Sequence, residues 1–147
     1  VIILLLWFAT FVGQPIPFSH KQHAAQACDD CHKLAPSGEV VSIPTGKECM
    51  TCHAEVAKNS PAIQDLKTYV DNKQPIPWVR VYELPSFVDF NHKTHLSAGA
   101  KCETCHGPVA TRDRITVETD ISMGGCMDCH RTAKATISCS GCHHLRA

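Results

Sequence analysis

All ten cysteines of this chain fall into five copies of one pattern, Cys-x-x-Cys-His. They are Cys28-Asp29-Asp30-Cys31-His32, Cys49-Met50-Thr51-Cys52-His53, Cys102-Glu103-Thr104-Cys105-His106, Cys126-Met127-Asp128-Cys129-His130 and Cys139-Ser140-Gly141-Cys142-His143. The two-residue gap sets two thiols at the right distance to add to the two vinyl groups of one haem. The histidine that follows reaches the iron from the proximal side. Paired cysteines at this spacing also build zinc ribbons and redox disulfides. Neither chemistry needs a histidine after every second cysteine. With 10 His in 147 residues, five matches by chance come to about one in a million. The pattern predicts five covalently bound c haems, with His32, His53, His106, His130 and His143 as proximal ligands.

Five histidines remain: His20, His23, His92, His95 and His144. The count closes if every haem is ligated by two histidines. Phe18-Ser19-His20-Lys21-Gln22-His23 and Phe90-Asn91-His92-Lys93-Thr94-His95 repeat one pattern, Phe-x-His-Lys-x-His. Histidines at i and i+3 stand one helical turn apart, so a short helix there can offer an imidazole to each of two haems. The preceding phenylalanine is placed to pack on a porphyrin. His144 follows His143 and, pointing elsewhere, is available to a different haem. The competing sixth ligands are the thioethers of Met50, Met123 and Met127, which raise a haem potential relative to a second imidazole. Each also reads as apolar packing. Residues 18–53 hold four histidines for two haems, and residues 90–144 hold six for three.

The chain that must position these residues is short of core-forming side chains. Aromatics are 6% of 147 residues, and part of the apolar content lies in the first thirteen. The remainder cannot bury a sizeable core of its own, so the stacked haems are expected to fill the interior. The fold expected is mostly irregular with short α-helices, wrapped around stacked haems, preceded by a transmembrane helix segment. Lys+Arg 14 balances Asp+Glu 14, so nothing points to nucleic acid. Arg80, Arg112, Arg114 and Arg131 are candidates to meet haem propionates, with solvated surface cations as the plain alternative.

Four segments follow. Residues 1–13 are apolar but shorter than the ~20 residues that span a bilayer, and read as part of a membrane anchor rather than a cleaved leader. Residues 14–60 form a two-haem module, 61–89 a proline-rich linker and 90–147 a three-haem module. The linker holds Pro61, Pro75, Pro77 and Pro85 and no Cys or His. Residues 54–59 are read as the end of a short helix after the second motif, 63–70 as a further helical turn or two, and 78–84 as extended. Ile115–Thr119 is a short strand or coil. Gln14-Pro15-Ile16-Pro17 recurs as Gln74-Pro75-Ile76-Pro77, each followed by an aromatic residue and later by the histidine pair, which suggests internal duplication. Haem is attached outside the cytoplasm, so the haem-bearing part is expected on the periplasmic, outer face.

The Phe-x-His-x-x-His pattern ahead of Cys-x-x-Cys-His, with Cys142-His143-His144 at the end, resembles the class III cytochromes c, over residues 14–53 and 86–147. That resemblance implies His20, His23, His92, His95 and His144 as distal ligands, with the two histidines of a pair serving different haems. The layout is also similar to the pentahaem cytochrome family of alternative complex III. An anchor precedes motifs split two and three. Between them runs Pro75-Ile76-Pro77-Trp78-Val79-Arg80-Val81-Tyr82-Glu83-Leu84-Pro85, and Cys102-Glu103-Thr104-Cys105-His106-Gly107-Pro108-Val109 follows. This implies a quinol-oxidising membrane complex with integral membrane and iron–sulfur subunits, and a soluble acceptor such as a small cytochrome c. An enzymatic reading, as in pentahaem nitrite reductases, wants an open iron marked by lysine in one motif, and all five motifs here end in histidine. A small membrane-anchored quinol dehydrogenase, a free multihaem carrier and an extracellular haem filament subunit are the other readings.

Overall fold

The computed structural model describes residues 13–144. The proposed anchor, apart from Gly13, lies outside the described residues. Among them, no helix is long and apolar enough to cross a membrane.

Six short helices are strung along irregular chain: α1 (Cys28–Cys31), α2 (Gly46–His53), α3 (Pro61–Asp71), α4 (His92–Ser97), α5 (Cys102–His106) and α6 (Met123–Ala133). Four of them carry a Cys-x-x-Cys pair. The fifth pair sits on a 3-10 turn, Cys139–Gly141. Side chains three apart on a helix share one face, so each pair presents both sulfurs to the same side. Local capping starts these helices. The Thr45 amide donates to Glu48 Oε2 at 2.6 Å ahead of α2, and Asn91 Oδ1 accepts from the Thr94 amide at 3.0 Å in α4. Ser122 Oγ accepts from Gly125 N at 3.4 Å in α6. Gly125 is required there: a Cβ would lie 2.2 Å from the Asp120 carbonyl oxygen.

The linker does not begin as a loop. Ser60 caps α3, Pro61 occupies its first turn, where the missing N–H costs nothing, and the helix runs to Asp71, past the 63–70 expected. Residues 54–59, expected to be helical, are turns instead. Ala57 adopts φ +53° and reverses the chain, so that α3 folds back on α2. Leu66 is buried in that contact. The crossing is close at Gly46, where a Cβ would stand 2.7 Å from Val70 Cγ2. Residues 78–84, expected to be extended, form no strand and bend at Val81, and residues 115–119 are coil. Sheet pairing among the described residues amounts to isolated bridges, Leu34 with Val41 and Val88 with His143.

The two Gln-Pro-Ile-Pro copies fold alike. Phe18 N donates to Ile16 O, and Trp78 N to Ile76 O, each at 2.8 Å. The first copy grips the chain just after the second: Gln14 Nε2 donates to Val79 O at 2.8 Å, and Val79 N donates to Gln14 Oε1 at 2.9 Å. The halves interlock elsewhere too. Lys21 N donates to Arg112 O and Lys93 N to Gly38 O, each at 3.0 Å, and Ser19 Oγ donates to Asp113 Oδ1 at 2.6 Å. Gly38 sits at φ +81° with its Cα against Lys93, where a Cβ would come within 2.5 Å of Lys93 Cβ.

Protein atoms alone make almost no core. Among the described residues, Ile16 and Leu66 are the buried apolar side chains, at 5% and 4% exposure, while Val40, Val56, Phe87, Val117 and Ile137 are all more than half exposed. Leu66→Ala is expected to cost about 2–4 kcal/mol by leaving a cavity between α2 and α3, measurable as a lower thermal midpoint of the haem-loaded chain with its haem content unchanged.

Candidate haem sites

Each cysteine pair is free of disulfide. No group of three or more His, Cys, Asp or Glu side chains converges as a metal-ion cage among the described residues, so the zinc-ribbon alternative finds no donor set there. The histidines, by contrast, face one another in pairs. The His20 and His32 rings are 6.4 Å apart and nearly parallel, at 8°. His23 faces His53 at 5.9 Å, and His95 faces His130 at 6.0 Å. Two imidazoles bound to one metal at about 2 Å from each nitrogen put their ring centres about 6 Å apart. The residues fit the iron of a c haem.

The second histidine pair copies the first in detail. Phe18 meets His20 edge-on at 4.8 Å and 88°, and stacks on His23 at 4.6 Å and 23°. Phe90 meets His92 at 4.8 Å and 90°, and His95 at 4.4 Å and 25°. His23 Nδ1 lies 2.8 Å from Ser19 O, and His95 Nδ1 lies 2.8 Å from Asn91 O, both four residues back. The phenylalanine therefore acts as a wedge holding both imidazoles. By the same copying, His92 corresponds to His20, and His106 lies within its electrostatic reach. Burial lowers the pKa of His106, and the charges of His92 and then His32 lower it further. His20 is lowered in the same way by burial, His32 and His23. Both shifts favour the neutral imidazole that a metal requires.

Hydrogen bonding chooses the tautomer. A carbonyl oxygen only accepts, so an Nδ1 beside one must carry the proton and leave Nε2 with its lone pair. His32 Nδ1 donates to Ser42 O at 2.9 Å, His53 to Val56 O at 2.9 Å, and His92 to Glu39 O at 2.7 Å. His130 donates to Thr136 O at 2.5 Å and His143 to Phe87 O at 3.3 Å. His144 differs: its Nδ1 lies 2.7 Å from a carboxylate oxygen of Asp89. His20 Nδ1 is buried without a hydrogen-bond partner, and Phe18 and the facing His32 ring hold it instead.

The sulfurs give the spatial order of the motifs. Cys49 lies near Cys31, Cys28 against Cys102, Cys105 near Cys129 and Cys126, and Cys126 near Cys142. Numbered along the chain, the first motif thus neighbours the second and the third, and the fourth neighbours the third and the fifth. His144 stands beside Asp89, and no ring pairing joins it to a proximal histidine.

Sequence reading missed Tyr82. Its ring meets His106 edge-on at 4.6 Å, and its hydroxyl bridges the His106 carbonyl at 3.3 Å and Thr116 O at 3.2 Å. Its place in an alternating run between prolines gave no signal. Two of the candidate propionate partners are turned to carboxylates of the chain. Arg112 makes a two-point pair with Glu118 at 2.6 and 2.7 Å, and Arg131 pairs with Asp128 at 2.6 Å. Met50 and Met127 sit within their motifs, and Met123 is exposed. Asn91→Ala removes the cap of α4 and the Asn91 Nδ2 bond to Ser37 O at 3.1 Å. The expected cost is about 1 kcal/mol, visible as a lower thermal midpoint, with the spectrum of the haem held by His95 broadened first.

Comparison with known proteins covers both halves. Residues 9–76 match the class III cytochrome c family, and residues 88–144 match cytochrome c7 and related cytochromes c. The chain is 29% identical over 126 residues to the "Menaquinone reductase, multiheme cytochrome c subunit" of Nitratidesulfovibrio vulgaris, covering 76% of this chain. It spans 60% of that relative's length. Both matched families imply covalently bound c-type haem, and the fold is that of a small, mostly irregular helical multihaem cytochrome c of the electron-transfer kind.

Proposed function

We propose that this chain carries five covalently attached c haems in one row and serves as the electron-relay subunit of a quinone-linked membrane complex, with its haem-bearing part on the periplasmic face. The observation that carries the reading is the facing of imidazoles in pairs at ring separations of 5.9–6.4 Å, His20 with His32, His23 with His53 and His95 with His130. Haem bound there supplies a reversible one-electron centre. The chain's own contribution is to hold neutral imidazoles with Nε2 free, to keep neighbouring attachment sites in contact, and to set the ligand field through Nδ1 bonding. His20 with His32, His23 with His53, His92 with His106, and His95 with His130 are the paired ligands. The catalytic step on quinone belongs to another subunit.

Two directions of flow are compatible with such a relay. The resemblance to the alternative complex III family favours a quinol-oxidising complex with integral membrane and iron–sulfur partners, passing electrons to a soluble cytochrome c or similar acceptor. The name of the relative from Nitratidesulfovibrio vulgaris favours the reverse, with electrons passed toward menaquinone. Native mass spectrometry of the detergent-solubilised assembly tests the relay reading. The expected result is this chain with five haem masses, together with membrane and iron–sulfur subunits. Arrival alone, or as a homopolymer, overturns it in favour of a free carrier or a filament. Adding quinol to the intact assembly then sets the direction: rapid haem reduction supports quinol oxidation, and haem reoxidation by added menaquinone supports the reverse.

A further inference from the structure

The four imidazoles that face each other at the second and fourth motifs are all backed by a carbonyl. His23 Nδ1 donates to Ser19 O at 2.8 Å and His53 Nδ1 to Val56 O at 2.9 Å. His95 Nδ1 donates to Asn91 O at 2.8 Å and His130 Nδ1 to Thr136 O at 2.5 Å. The first motif breaks this pattern. His32 donates to Ser42 O at 2.9 Å, but the Nδ1 of the ring that faces it, His20, is buried with no acceptor.

The surroundings of His20 explain why none reaches it. Phe18 meets His20 edge-on at 4.8 Å, and Trp78 meets Phe18 edge-on at 6.5 Å. Trp78 Nε1 is also buried without a partner. Two nitrogens around one phenylalanine, both lacking an acceptor, mark an apolar, water-excluding surround. That surround has an electronic consequence. An Nδ1–H bonded to a carbonyl makes the imidazole a more basic ligand and favours the ferric state of the iron it binds. His20 lacks that bond. Ferric haem between two neutral imidazoles also carries a positive charge that the ferrous form does not, and an apolar surround disfavours the charged form. Both effects act in one direction, toward the reduced state.

We propose that the haem on Cys28 and Cys31 has a higher reduction potential than those on Cys49 and Cys52 and on Cys126 and Cys129, because His20 offers it an imidazole whose Nδ1 has no acceptor. The inference rests on the five-haem reading above and on neither direction of flow. Cys31 lies near Cys49 and Cys28 lies against Cys102, so this haem stands where the two halves of the chain meet. An electron passed along the row, in either direction, is held longer at this junction than at the second or fourth motif. His20 is thereby a positioning residue with an electronic role, set apart from its copy His92, whose Nδ1 donates to Glu39 O at 2.7 Å.

The test is a potentiometric titration of the haem-loaded chain followed by nuclear magnetic resonance, with each haem assigned through its contacts to the facing histidine rings. The expected result is a higher midpoint for the haem on Cys28 and Cys31 than for the other two. In the fully reduced chain, the His20 Nδ1 proton should also resonate upfield of those of His23, His53, His95 and His130. A midpoint at or below that of either other haem overturns the proposal. So does a His20 Nδ1 proton as far downfield as the other four, even with the expected order of potentials, because the missing hydrogen bond is then not the cause. A haem mass count separates the two readings. Five haems with another order of potentials sink this inference alone, whereas fewer than five sink the five-haem reading and this inference with it.

Discussion

The bond from a histidine Nδ1 to a carbonyl oxygen is the interaction on which the rest of this structure depends. It has to be made many times over, because a chain with so few buried side chains cannot hold imidazoles in place by packing. Ser42, Val56, Glu39, Thr136 and Phe87 each supply a carbonyl from irregular backbone. The long loops are therefore not slack between motifs. Each brings one oxygen to one ring, and in doing so selects the tautomer whose Nε2 can bind a metal. His23 and His95 use a carbonyl four residues back, so for these two the local turn is sufficient.

This economy explains why the halves are not independent. His92 sits in the second half, yet its orienting oxygen, Glu39 O, belongs to the first. The loop that delivers it turns at Gly38, whose φ of +81° and close approach to Lys93 exclude a side chain. His143 and His144 likewise depend on Phe87 and Asp89, at the end of the proline-rich segment. That segment positions ligands at both ends: α3 buttresses α2 through Leu66, and Tyr82 ties the His106 carbonyl to Thr116.

The duplication has a physical consequence beyond ancestry. Phe18 and Phe90 hold two imidazoles each in the same edge-and-stack arrangement, so each copy of the pattern serves two neighbouring motifs. A two-site unit made twice joins four motifs, and the contact of Cys28 with Cys102 brings the two units together at their first motifs rather than end to end in chain order. The fifth motif stands outside this scheme, with Phe87 alone against His143 at 5.8 Å and 34°. It is docked through the Val88 bridge to His143.

The sequence alone determined the chemistry. Cys-x-x-Cys-His needs nothing beyond local helix geometry to present two sulfurs and a ligand, and the Phe-x-His-Lys-x-His pairs announce themselves by repetition. The short helices and scarcity of sheet were legible for the same reason, since spacing and prolines act over a few residues. The turn at 54–59 was not, because a left-handed Ala57 is dictated by the return of α3 to α2 and not by alanine. Only the tertiary structure decided which histidines face each other, which carbonyl orients the rings that have one, and which motifs are neighbours. It also showed Arg112 and Arg131 turned to Glu118 and Asp128, and His144 resting on Asp89. These are contacts between residues up to 94 positions apart, as for Ser19 and Asp113, and no local pattern encodes the folding of one loop against another.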